Sequence, residues 1–352
     1  MSPTVVGSDP DDVDELLAAR PIADYGRRRG RLGRAKPLVG PMALLAIVAF
    51  FGILYPTTFL TPTNLLTNVL ETVSFAVIVA AAQTLVMVVG DFDLSVGGVA
   101  ALATSFTAAI ITTTTLSGAA QEPGSVLLAV LLGLLVGLVC GVVSGILVSY
   151  LGVLAFIATL GMAQVYTSLA RFRVDGKPVY GLVEQGFVAV ARGETLGLSN
   201  KIWIAALIAA AVWFLLDQTK LGRKMYAVGG NSEAARYSGI NTKAIRLIAF
   251  ALCGVGAAAA GLLQAASTAT ANTAATQPWM LQSIAGVFIG MAMFRNGRPN
   301  LPGSILGVVL LRVLDNGLNF TGINDYLQSV ISGLAIVVAV LPPAIARLRA
   351  QR

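Results

Sequence analysis

The chain has 352 residues, 56% of them hydrophobic and only 12% charged, with a mean hydropathy of +0.80 and a formal net charge of +7. That charged fraction is about half the share usual in a soluble domain, so the sequence describes a polytopic membrane protein. The absence of histidine excludes imidazole catalysis, histidine metal ligation and histidine pH switching, and Cys140 and Cys253 both lie inside apolar runs, which leaves neither a disulfide framework nor a CxxC motif.

Taken in chain order, an acidic stretch, D-P-D-D-V-D-E (9–15), and a basic one, R-R-R-G-R-L-G-R-A-K (27–36), precede the first apolar run. The basic run has no interleaved aromatics, so it reads as a topogenic anchor beside a membrane helix rather than a nucleic-acid contact. The run that follows is longer than a signal-peptide h-region and is succeeded by others like it, which makes it a retained span. A hydrocarbon core of about 30 Å takes roughly 20 apolar residues per helix. By that ruler the candidate spans are 38–59, 66–89, 94–115, 125–150, 153–170, 202–218, 243–267, 278–294, 301–319 and 324–345. Pro56, Pro62, Pro123, Pro278, Pro302 and Gly322 punctuate them. The expected fold is all-α with about ten transmembrane helices, divided into a tail (1–37), a membrane domain (38–345) and a short second tail (346–352).

An even number of spans puts both termini on one side. Basic residues choose the side: seven in the tail from Arg20, six in 219–246, two in 295–300 and three in the last segment, against none in 60–65, 116–124, 268–277 and 320–323. By the positive-inside rule the basic segments and both termini are cytoplasmic. The 171–201 connection is the misfit, since it falls outside yet carries five basic residues with three acidic ones.

Gly133, Gly137, Gly141 and Gly145 recur every four residues along the fourth span and make a groove that another helix can enter closely. Gly286 with Gly290, and Gly303 with Gly307, give two more such faces. G-L-L-V-G in the fourth span and G-S-I-L-G in the ninth each lead to a polar–Gly pair, at 144–145 and 316–317, in helices expected to run in opposite directions. That echo is the pattern of an inverted repeat.

The charged segment 219–243, T-K-L-G-R-K-M-Y-A-V-G-G-N-S-E-A-A-R-Y-S-G-I-N-T-K, falls on the inner side. Asn231 or Ser232 can cap a helix there, Glu233 complements its dipole and Gly239 offers a left-handed stop. The resulting helix of about seven residues is well short of the roughly 12–15 needed for marginal independent helicity, so something is expected to press against it.

This wording resembles the E-A-A-x-x-x-G signature of ABC importer permeases, matched at Glu233, Ala234, Ala235 and Gly239, and G-G-N-S-E-A-A-R-Y-S-G-I-N is similar to the coupling loop of their ribose, xylose and galactose class. G-D-F-D-L-S-V-G (90–97), A-F-I-A-T-L-G-M (155–162) and D-N-G-L-N-F-T-G-I-N (315–324) resemble further segments of that class, in the same order. The acidic-then-basic tail is extra, and M-F-R-N-G-R-P-N (293–300) stands where a more glycine-rich loop is usual. The resemblance implies a multi-pass permease of the bacterial cytoplasmic membrane, paired with a second copy, joined to an ABC ATPase subunit and supplied by an extracytoplasmic sugar-binding protein. It also implies that Asn231, Ser232, Glu233, Ala234, Ala235, Arg236 and Gly239 couple to the ATPase. The chain has no G-x-x-x-x-G-K-[ST] phosphate loop, so ATP and Mg are expected on that partner and no cofactor on this chain.

Two readings of 90–98 stay open. In one, Gly90 stops a helix at its inner end and Asp93 caps the next. In the other the break lies deeper, and Asp93 and Ser95 line a polar path through broken helices. Arg312 and Asp315, at i, i+3, can neutralise each other, while Asn316 and Asn319 are candidates for hydrogen bonds to cargo hydroxyls. With aromatics at 7%, no stacking platform stands out. An ion-coupled secondary transporter needs a midplane chain of ionisable groups, and mainly Glu71, Arg312 and Asp315 lie away from helix ends. An intramembrane enzyme needs a nucleophile with a base or metal ligands, which without histidine leaves Ser/Lys or Asp pairs, and Asp91 and Asp93, two apart on a loop, do not by that spacing oppose each other across a scissile bond. An autoinducer or branched-chain amino acid permease of the same architecture is the nearer alternative.

Overall fold

A computed structural model describes residues 36–111, 125–182, 185–293, 297–324, 326–335 and 337. The two termini, the 116–124 loop and Arg295 lie outside them, as do the ends of the third and tenth expected spans. The helices are α1 (Lys36–Leu54), α2 (Leu70–Val88, extending a π-helical turn, Thr63–Val69), α3 (Val96–Ile111), α4 (Val126–Ser149) and α5 (Ala155–Arg173). There follow α6 (Gln185–Arg192), α7 (Asn200–Gln218), α8 (Lys220–Gly230), α9 (Ser232–Tyr237), α10 (Thr242–Thr268), α11 (Trp279–Met293), α12 (Leu301–Asn319) and a last helix, α13, over 326–335. Each of the ten expected spans holds a helix among its described residues, although 55–59, the end of the first, is turn. Among the described residues five helices are long and apolar enough to cross a membrane by length and composition: Thr63–Val88, α4, α7, α10 and α12.

The centre of the bundle is α2, in which every residue from Ala76 to Val88 is buried. A helix stretch enclosed on all faces has no outer surface to present, and α2 presents none from Ala76 onward. On α4 the usual order is reversed: the glycines face inward while Leu127, Leu131 and Leu135 are exposed, the pattern of a helix whose solvent is lipid.

The α4 groove is filled by α10. Added Cβ atoms at Gly133, Gly137, Gly141 and Gly145 would meet Leu262, Ala258, Phe250 and Leu247 in turn, which makes the pair antiparallel and the groove an intrachain one. Likewise Gly286 abuts Gly307 and Gly290 abuts Gly303, so α11 and α12 are held backbone against backbone. Thr84 donates to Ala80 O and pairs with Ser304 Oγ (2.8 Å), and Asn64 and Asn316 exchange amide hydrogen bonds (2.9 and 3.0 Å), so α2 and α12 also run antiparallel. Through these contacts α4 and α12 run in opposite senses.

The 171–201 connection is a folded unit, not a plain loop. Its strand β1 (Val179–Tyr180) pairs with β4 (Thr270–Ala271), and β2 (Glu194–Thr195) pairs with β3 (Leu198–Ser199) around a left-handed Leu196–Gly197 turn. Four of its five basic residues have local partners: Arg173 lies over Phe106 at 4.1 Å, Lys177 pairs with Asp175, Arg192 donates to Ser267 O and Lys201 pairs with Glu71.

Candidate functional site

At one end of the bundle α2, α7 and α11 begin and α10 and α12 end. Between them opens a chamber of about 430 Å³ lined by Glu71, Phe75, Lys201, Gln264, Trp279, Gln282 and Arg312, among others. A second chamber of about 390 Å³ carries Arg192, Glu194, Leu198 and Ser199, and shares Thr67, Glu71, Lys201 and Ser267 with the first. Both volumes fall in the range of roughly 300–1,000 Å³ typical of small-molecule sites. A third hollow of about 230 Å³ lies beneath the β1–β4 ribbon, against Thr104, Tyr180 and Gln264. Further into the bundle the space narrows to about 10 Å³ between Ala76, Val79, Trp279, Val308 and Arg312, enough for at most one water. Below that lie the Thr84–Ser304 contact and the glycine seam of α11 and α12.

The charges in the chamber wall are paired. Glu71 meets Lys201, whose ammonium also donates to Ser267 Oγ (3.1 Å) and lies 6.0 Å from the Phe75 ring. Arg312 donates to Gln282 Oε1 at 2.7 Å and lies 3.9 Å from Asp315, and Asp315 accepts from Ser332 Oγ at 2.6 Å. What remains for a ligand is a set of amides, hydroxyls and already-paired charges around one indole. Among the described residues no group of three or more acidic or cysteine side chains assembles as a metal site.

The predicted site residues are not brought together. Asn316 is spent on Asn64, and Asn319 accepts from Gln328 Nε2 at 2.8 Å; neither lines these chambers. Asp93 and Ser95 are fully buried near the opposite end. There Gly90, at φ +90°, closes α2 in a Schellman turn: Gly90 N–H donates to Met87 O and Asp91 N–H to Val86 O. Asp93 does not cap α3, which is a correction. Ser95 holds the cap position, with its carbonyl accepting from Val99, and Asp93 Oδ1 accepts from Ser95 N–H (2.8 Å) and Oγ–H (2.6 Å). The Gln83 amide pairs with both backbone groups of Asp93, and Leu94 N–H donates to Thr159. Gln83 lies about five residues, or ~7.5 Å, inside α2, so the break folds inward yet stays sealed.

Asp91 reaches Arg246, in the first turns of α10, at 3.3 Å. Burial pushes the Asp91 carboxyl above the ordinary carboxylate range, and Arg246 counters it. On the other flank Gly229, near the end of α8, presses on the Val88 carbonyl and lies against Gly90. Between these two supports sits α9, of six residues. Asn231 rather than Ser232 caps it, accepting from Ala234 N–H at 2.9 Å. Gly239, at φ +80°, ends it in a second Schellman turn, with Gly239 N–H donating to Arg236 O and Ile240 N–H to Ala235 O. Only Ala235 is buried, and Glu233, Ala234, Arg236 and Tyr237 face outward.

Pattern reading missed the chamber because its residues come from five helices. Glu71 was visible as an intramembrane acid, but Lys201 read as loop, and Trp279 and Gln282 carried no spacing signal. The one available clue was that Glu71 and Lys201 both stand at the same predicted end of their helices.

Residues 65–340 match the family model described as "Branched-chain amino acid transport system / permease component". The ribose import permease protein RbsC of Escherichia coli (strain K12) is 35% identical over 303 residues, 85% of this chain and 91% of that protein. RbsC of Bacillus subtilis (strain 168) is 36% identical over 305 residues, 86% and 91%. The galactose/methyl galactoside import permease protein MglC of E. coli (strain K12) is 33% identical over 309 residues, 85% and 90%. No solved structure matches the chain.

Proposed function

This chain belongs to the branched-chain amino acid transport system / permease component family, a transport subunit and not an enzyme, and from that premise we propose that it is the membrane permease of an ATP-driven monosaccharide importer. The similarity to ribose and galactose permeases over most of both chains carries this reading. The chamber chemistry supports it against the amino acid alternative. A zwitterion needs a free cation and a free anion, and in the larger chamber Glu71, Lys201 and Arg312 already have charged partners, whereas hydroxyls suit its amides, hydroxyls and paired charges.

The chain has ten spans, with an inverted relation between its fourth and ninth. The chamber end faces outward to receive cargo from a sugar-binding protein, and 219–243 and both termini face the cytosol. Two copies pair, and α9 rests in a groove of a separate ATPase that binds ATP and Mg. The reading is supported by the basic residues of 219–246 and by the exposed outer face of so short a helix. Movement of α9 reaches the Gly90–Ser95 break through Gly229 on one side and Arg246–Asp91 on the other. Each nucleotide state then favours one arrangement of the spans. Uptake of labelled D-ribose, D-allose and D-galactose, with and without the co-expressed ATPase, tests this: uptake that needs no ATPase overturns it.

A further inference from the structure

The hollow beneath the β1–β4 ribbon differs in kind from its two larger neighbours: among the described residues no charged side chain lines it. Its floor is buried and comes from Thr104 of α3, Gly261 and Ala265 of α10, and Thr276. Its rim, with Tyr180, Thr268 and Asn272, is exposed, so the hollow opens outward over a sealed base. The threonines have already spent their protons. Thr104 donates to Ala100 O (2.7 Å), Thr276 to Gly97 O (2.8 Å) and Thr268 to Gln264 O (3.1 Å), which leaves their oxygens with lone pairs to offer. The amides supply the complement. Asn272 accepts from Ala274 N–H through Oδ1 (3.0 Å) and keeps its Nδ2 hydrogens free, and the Gln264 side chain has no hydrogen-bond partner among the described residues. Gln264 and Thr268 also line the 430 Å³ chamber, so the two spaces lie on either side of one unengaged amide.

We propose that this hollow is a binding subsite for a single neutral, polyhydroxylated ring, with Gln264 as the residue that reads it. The choice of a sugar as ligand rests on the cargo reading above. Ring hydroxyls both donate and accept: they donate to the threonine oxygens and accept from the Asn272 and Gln264 amides. Tyr180, fixed by strand pairing with Thr270, gives the ring's C–H edge an apolar wall beside a polar tip. A volume of about 230 Å³ holds roughly eight waters at about 30 Å³ each, which one ring displaces. An amino acid brings a carboxylate and an ammonium, and the lining holds a counter-charge for neither.

The test uses the purified full-length chain with a reporter thiol, Thr270→Cys, on a residue that lines this hollow and neither chamber. Cys140 and Cys253 are both buried and stay silent. D-ribose, D-allose or D-galactose, at up to tens of millimolar, is expected to slow methanethiosulfonate modification severalfold, and L-leucine to leave the rate unchanged. Adding Gln264→Leu is expected to raise the sugar concentration for half-protection about tenfold, as for the loss of two neutral hydrogen bonds. Its melting temperature is expected to match the parent's, because that amide holds no part of the fold. Absence of protection by all three sugars overturns the subsite, as does leucine protecting equally. Unchanged half-protection in Gln264→Leu, or a melting temperature several degrees lower, overturns the role given to Gln264. Protection is read without the ATPase and without transport, so failed uptake beside intact protection strikes the importer reading and spares the subsite.

Discussion

Gly254→Ala is the most direct test of how this bundle is held together. A methyl group there would lie 2.2 Å from the Gly137 carbonyl oxygen and 2.9 Å from Gly141 Cα. Both obstacles are backbone, so no rotamer change relieves them. Ordinary contact begins near 3.4 Å, so α4 and α10 must part by about 1 Å along their tightest stretch. Overpacking of this kind costs about 1–3 kcal/mol. The control is Gly161→Ala on α5, an exposed helical position where an added Cβ meets nothing within 4 Å; it is expected to gain up to about 1 kcal/mol from helix propensity. At about 2–4 °C per kcal/mol, Gly254→Ala lowers the apparent melting temperature in detergent by several degrees while Gly161→Ala holds or raises it. Matching melting curves for the two variants would refute the close-packing account of the α4 glycines.

Replacing Glu233 and Gly239 together is expected to raise the ATP hydrolysed per cargo moved, because a non-glycine residue at φ +80° costs about 1–2 kcal/mol and reshapes the α9 stop; transport with unaltered stoichiometry would count against the coupling role. Asn231→Ala removes the α9 cap and about 1 kcal/mol of helix stability, and is expected to weaken copurification of the ATPase. Asn316→Ala removes its two hydrogen bonds to Asn64, which keeps Phe59 O and Asn68 as partners, so a loss of about 1–3 kcal/mol is expected, and Asn64→Ala, which loses all of these bonds, is expected to lower the thermal stability further. Asp91→Arg is expected to slow uptake and Asp91→Arg/Arg246→Asp to recover it in part; two equally slow variants would remove this pair from the relay.

Period and punctuation were enough to place the helices, because a membrane span must meet its own backbone hydrogen bonds and bury a fixed length of apolar chain. The Gly90 and Gly239 stops were legible for a similar reason: a left-handed turn leaves few residues to choose from. The cap at 93–95 was not, because Asp and Ser are both good caps two residues apart, and the choice was decided by Gln83 and Thr159 from other helices. The chamber was illegible for the same physical reason on a larger scale. Glu71, Lys201, Gln264, Trp279 and Arg312 become neighbours only through tertiary packing, and no spacing within one segment announces that. Asn316 and Asn319 looked available to cargo because nothing near them in sequence predicted Asn64 and Gln328 as partners.

The smooth joint at Gly286–Gly307 and Gly290–Gly303 bears on how such a molecule works. Helices seated backbone to backbone, with Ala285, Ile289 and Met293 packed beside the seam against Leu306, Leu310 and Leu311, share one interface, so α11 and α12 are expected to swing as a single shutter. The hinge line then lies on their border with α2, where Thr84 meets Ser304. A disulfide across Thr84→Cys/Ser304→Cys is therefore expected to jam the shutter, and its reduction to free it.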